Sequence, residues 1–164
     1  MKRFALLVGI IWLCFTGSAW ADHINGTGSV TDDWGDNHTI SNTGTINTGN
    51  VVGIWQSVLW ADGDLASSSC SYVDGLFGGI TENATISWQQ EAFPNQPSQW
   101  DGIVGTNTWG KADNQLVQLS GAGVRYTGDI HNLSLTRSLS TFLYSWTWNG
   151  GNRGTGHPTP ALGC

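Results

Sequence analysis

One eight-residue pattern occurs twice in this chain and restricts its fold more than any other feature. Asp74-Gly75-Leu76-Phe77-Gly78-Gly79-Ile80-Thr81 returns 27 residues later as Asp101-Gly102-Ile103-Val104-Gly105-Thr106-Asn107-Thr108. The shared form is D-G-[IL]-[FV]-G-x-x-T. Glycine after the aspartate accepts a positive φ at no steric cost, and the aspartate side chain bonds back to the backbone, so each copy encodes a tight turn. The two apolar residues that follow are expected to anchor the turn in a core. The closing threonine is expected to stand where a helix begins. A chain written this way builds helices that are each entered through the same turn.

The helices can be placed by periodicity. Val51, Ile54, Trp55, Val58 and Leu59 fall at i, i+3, i+4, i+7 and i+8, which predicts a helix with one apolar face. Asn50 is expected to cap it and Ala61-Asp62-Gly63 to stop it. Behind the first turn, Ile80, Ala84 and Trp88, with Thr81 and Thr85, stack at helical spacing. Behind the second, Thr108–Ala112 has room for a short helix only. Past Asp113 the pattern changes. Leu116–Leu119, Gly123–Tyr126, Ile130–Leu135 and Thr141–Trp148 are short, β-rich and separated by turns. In the last of these, Phe142, Tyr144, Trp146 and Trp148 share one face by the period of two. Packing against the helices is the expected use of that face; an exposed aromatic platform is the alternative. The expected class is α+β, a small three-helix bundle followed by a short antiparallel β-rich region.

An inward glutamine on a helix, then D-G-x-F-G-x-x-T-x-x-A-[TV]-x-x-[FW]-Q, then D-G-[IV]-[VA]-G-x-x-T-W, resembles the type 1 peptidoglycan-binding domain family. Gln56, the Asp74–Thr81 turn, Ala84, Trp88-Gln89 and Asp101–Trp109 carry the likeness, which spans residues 50–112. The layout also resembles small secreted actinobacterial proteins that carry this domain without an enzyme. The resemblance implies a compact bundle that holds wall glycopeptide. On that reading a groove beside the turns takes a muropeptide. Backbone amides at Asp74, Gly75, Asp101 and Gly102 would bond its carbonyls or carboxylates, and Trp60, Trp88 or Trp100 would stack on a sugar. Trp88 also falls on the core face of its helix. Gln56 and Gln89 are expected to satisfy backbone groups inside the bundle rather than touch ligand. The chain departs from the family pattern in a longer Ala61–Val73 loop, which holds Cys70, and in the extended Glu91–Gln99 segment with Pro94 and Pro97.

The N-terminus reads as an export signal. Lys2-Arg3, the apolar run Phe4–Phe15 and a small-residue ending at Ala19-Trp20-Ala21 have the form of a cleaved secretory peptide, and the apolar run is too short to span a bilayer. The expected organisation is a signal over 1–21, a low-complexity leader over 22–49, the peptidoglycan-binding domain over 50–113 and the β-rich region over 114–164. The leader is rich in Asn, Gly, Thr and Ser and is expected to be a linker, its few apolar residues being too little to offset ordering entropy. Cleavage leaves Cys70 and Cys164 as a pair in an oxidising compartment, so a disulfide is expected. It also removes Lys2 and Arg3, taking the formal net charge from −6 to −8. An acidic surface repels phosphate, which argues against nucleic acid or anionic membrane as partners. The expected product is a secreted or wall-associated monomer.

Catalytic patterns are lacking. His23, His38, His131 and His157 show no metal-ligand spacing, and neither H-E-x-x-H nor G-x-S-x-G occurs. Asp74 and Asp101 are explained by their turns and Glu82 by a helix start. The reading is therefore non-enzymatic, with no cofactor and no metal. Two alternatives stand beside wall binding: a secreted interaction scaffold or inhibitor that has lost glycan binding, and a small wall hydrolase. Half of the ten tryptophans are assigned to core packing and the rest to stacking.

Overall fold

Three helices lead into an antiparallel sheet, in the order the periodicities suggest. The computed structural model describes residues 24, 26, 28–35, 37–66, 72–148 and 151–153. The signal over 1–21 and both partners of the expected disulfide, Cys70 and Cys164, lie outside them. Helix α1 spans Asn50–Asp62, α2 Gly79–Ala92 and α3 Thr106–Ala112. Strands β1 (Leu116–Gln118), β2 (Gly123–Thr127), β3 (Asn132–Arg137), β4 (Tyr144–Trp148) and β5 (Gly151–Arg153) form one sheet in sequence order, each antiparallel to the next. The fold is α+β.

Helix α1 begins one residue earlier than its expected cap allows: Gly49 is the N-cap and Asn50 the first helical residue. Its C-terminus follows expectation. Gly63 takes φ +97°, and the N–H groups of Gly63, Asp64 and Leu65 all reach Leu59 O, closing the last turn. The helix is buried on every side rather than on one face, because it lies between two layers. On one side the Trp55 ring meets the edges of Trp88 and Trp109 at 5.1 and 5.3 Å. On the other, Gly53 faces Trp146. A Cβ at Gly53 would lie 3.2 Å from the Trp146 ring, so glycine lets the sheet close onto the helix.

The sheet buries alternate residues, as the period of two requires. Leu133, Leu135 and Arg137 point inward along β3 while Asn132, Ser134 and Thr136 face out. Tyr144 and Trp146 are buried as the core-packing reading anticipates. The third strand is displaced from expectation: β3 starts at Asn132, and Ile130 sits in the preceding loop, 59% exposed.

The segment read as a linker is packed instead. Trp34 and Ile40 are fully buried, and Ile24 and Val30 nearly so. The Trp34 ring lies parallel to Tyr126 at 6.2 Å and meets Trp109 and Tyr144 edge-on, each at 5.8 Å. Ile40 exchanges both backbone bonds with Val104 in the second turn, and Thr48 bridges to Leu76 in the first. A buried ion pair completes the attachment. Arg137 Nε lies 2.6 Å from Asp33 Oδ2, Arg137 Nη2 donates to Gly26 O and Gly28 O, and the Tyr144 hydroxyl donates to Asp33 Oδ2 at 2.7 Å. Burying Trp34 and Ile40 contributes on the order of 2–3 kcal/mol each. The ion pair and the ladder bonds add specific attachments to a segment whose apolar residues are few.

Candidate functional site

The two turns are near copies in space. In the first, Gly75 has φ +70°, and its N–H donates to Gln56 Oε1 at 2.8 Å. The Gln56 amide hydrogens are shared among Asp74 Oδ1, Leu76 O and Thr81 Oγ1 at 2.9–3.0 Å, and Leu76 N–H donates to Asp74 Oδ1 at 2.8 Å. In the second, Gly102 has φ +71°, and its N–H donates to Gln89 Oε1 at 2.9 Å. The Gln89 amide reaches Asp101 Oδ1, Ile103 O and Thr108 Oγ1 at 2.9–3.2 Å, and Ile103 N–H donates to Asp101 Oδ1. Each glutamine thus fastens the turn that follows its own helix. Both are fully buried, in keeping with their expected internal role.

This geometry corrects the roles expected at the turns. The amides of Gly75, Leu76, Gly102 and Ile103 are all engaged within the protein, so none is free to bond a ligand carbonyl. Asp74 and Asp101 spend a carboxylate oxygen on the same networks. Only the second apolar residue of each turn is an anchor: Phe77 and Val104 are buried, whereas Leu76 and Ile103 are 51% and 40% exposed. Thr81 and Thr108 lie in the first turns of α2 and α3 as expected, but the N-caps are Gly78 and Gly105. The threonine hydroxyls point inward to the glutamines.

The three candidate tryptophans are scattered. Trp88 is buried, with its indole N–H on Asp62 Oδ2 at 2.6 Å, so its face is not offered to a sugar. Trp100 is half-buried beside the second turn, its N–H fixed on Phe93 O at 3.0 Å. Trp60 is half-buried and stacks on His131, with ring centroids 4.0 Å apart.

A cleft of about 390 Å³ opens where the helices meet the sheet, lined by Asp62, Trp88, Glu91, Lys111, Tyr126 and Asp129 among others. Asp62 is its fixed point. It ends α1 and accepts from Trp88 of α2, from the Tyr126 hydroxyl of β2 at 2.6 Å and from Asp129 N–H at 3.2 Å. Burial raises the Asp62 pKa against the lowering effect of the Tyr126 and Trp88 bonds. Next to it, burial and the neighbouring charges of Glu91, Asp62 and Asp129 push Asp64 up to about 7. One Asp64 oxygen is buried without a hydrogen-bond partner among the described residues. Sequence reasoning missed this cleft because its walls come from four separate elements. The one local clue was a concentration of acids at Asp62, Asp64 and Asp129 flanking turns.

Among the described residues, no group of three or more His, Cys, Asp or Glu is placed to hold a metal ion. No family model, curated protein or solved structure matches this chain.

Proposed function

We propose that this chain binds bacterial cell-wall peptidoglycan without cleaving it, as a secreted module. The observation that supports the reading is the duplicated glutamine-fastened turn. The residues that carry the family resemblance, Gln56 with Asp74–Thr81 and Gln89 with Asp101–Thr108, are the ones that form two matching networks. They act as a scaffold. The turns hold their own amides shut and present Leu76 and Ile103 outward on a rigid backbone, while Trp100 offers a fixed, half-exposed ring suited to a sugar face. The acidic balance argues against long-range charge attraction to the wall, which is itself anionic, and leaves recognition to local contacts.

Co-sedimentation of residues 22–164 with insoluble peptidoglycan, alongside chitin and cellulose, tests this. Pelleting with peptidoglycan alone, weakened by Trp100→Ala at unchanged thermal stability, is the expected result. Protein left wholly in the supernatant rejects the reading. Loss of turbidity in the wall suspension would instead identify a hydrolase. An interaction scaffold would not use the Tyr144 and Trp146 rings, which are buried.

A further inference from the structure

We propose that the cleft between α2, α3 and the sheet binds a zwitterionic peptide end, holding a side-chain ammonium at Glu91 and Asp129 and a free carboxylate at Lys111. This deepens the wall-binding reading, on which it rests for the source of the peptide, by naming the part of the glycopeptide that is held.

The volume, about 390 Å³, lies within the range of small-molecule sites and suits one or two amino-acid residues. Its charges are of both signs, and among the described residues they are unpaired. Glu91, Asp129 and Lys111 line one cavity, and none forms an ion pair within 4.0 Å; the ion pair found among the described residues is Arg137–Asp33, elsewhere in the fold. Opposite charges held apart around a cavity are matched by a ligand that carries both. Each then gains a partner that the described residues do not supply.

The framework beneath these groups is rigid. Asp62 is held by Trp88, Tyr126 and the Asp129 backbone, so its carboxylate shapes the floor and is already satisfied. Glu91 and Lys111 project from separate helices and are exposed, free to meet a ligand. The excess of acids over the single lysine favours the ammonium end, so a simple carboxylate should bind poorly. Lys111 also lines a second, open groove of about 400 Å³ with Gln96, Gln99, Thr106 and Asn107. Lys111 borders both cavities. A longer ligand can therefore continue from its charged end onto amide and hydroxyl groups suited to a peptide or sugar.

The test is a titration of isotopically labelled residues 22–164 with Nα-acetyl-lysyl-alanine, followed by NMR and calorimetry. Saturable shifts at Glu91, Lys111, Gln115 and Asp129 are expected. Acetylating the side-chain amine or amidating the carboxyl end should each weaken binding by about fivefold, the worth of one exposed charge pair. Glu91→Gln should lessen the preference for the free amine, Asp129 remaining, and Lys111→Met should erase that for the free carboxylate. Both positions are exposed, so the variants keep the fold. Equal binding of the capped and free peptides, or no shifts in the cleft, overturns the proposal. Pelleting with peptidoglycan alongside an unresponsive cleft overturns this inference and leaves wall binding standing. A selective cleft in a protein that does not pellet upholds the inference and removes the wall as its partner.

Discussion

Replacing Gln89 by alanine tests the central claim about the turns. The substitution takes away the acceptor of Gly102 N–H, a buried donor with φ +71° that cannot readily turn to solvent. Stranding that group costs about 1–3 kcal/mol. The other partners lose less, since Ile103 O keeps the Thr108 hydroxyl at 3.3 Å and Asp101 Oδ1 keeps Ile103 N–H at 2.9 Å. Removing most of a fully buried side chain adds a cavity term of about 1–2 kcal/mol. The sum, roughly 2–5 kcal/mol, corresponds to a fall in Tm of about 6–20 °C for a domain of this size. Thermal and guanidinium unfolding measure it, and amide exchange at Gly102 locates it. Gln89→Glu is the sharper control. It keeps an oxygen for Gly102 but sets a second carboxylate oxygen against Ile103 O and Asp101. Its carboxyl pKa is thereby raised in the folded state, so the variant should recover stability in acid and lose it as pH rises through that value. A cost below about 1 kcal/mol for Gln89→Ala, or a Gln89→Glu protein as stable as the parent at neutral pH, would refute the idea that the glutamine fastens the turn.

Three further outcomes are expected. Arg137→Met strands the Asp33 carboxylate in the interior and should cost about 3–5 kcal/mol, with new proteolytic cuts within residues 24–40; adding Asp33→Asn should restore part of the loss. Asp64, raised in the folded state to about 7, binds a proton there that the unfolded chain has released. Stability should therefore fall as pH rises from about 4 to about 7, and Asp64→Asn should flatten the Tm profile over that window while matching the parent at low pH. Tyr126→Phe removes a 2.6 Å bond to the Asp62 carboxylate, and a loss of about 1.5–3 kcal/mol in chemical unfolding is expected.

The parts of the fold readable from sequence were those held by short-range logic. The turn repeat, the α1 spacing and the alternation of β4 each declare themselves within a dozen residues, through φ requirements and burial periods. The inward role of Gln56 and Gln89 was also readable, because an amide between helix and turn has backbone groups to satisfy. What escaped depends on partners far away in the chain. Trp34 and Ile40 stand alone among Gly, Asn and Thr, with no period to mark them, and their burial is decided by Tyr126, Tyr144 and Val104. Leu76 and Ile103 read as core residues by their apolar type, whereas the glutamine already anchors the backbone at that point. The cleft was invisible for the same reason as the arm: Asp62, Glu91, Lys111 and Asp129 meet only after the sheet folds back on the helices.

The attachment of the N-terminal arm also sets an order of events. Asp33 and Gly26 find their partners at Arg137 and Tyr144, 104 to 111 positions onward, whereas the glutamine–turn bonds close loops of 12 to 25 positions. A chain made from its N-terminus can knit each helix to its turn soon after both have emerged. The segment before α1 is synthesised ahead of the residues that hold it, so its seat is complete only once β3 and β4 are in place.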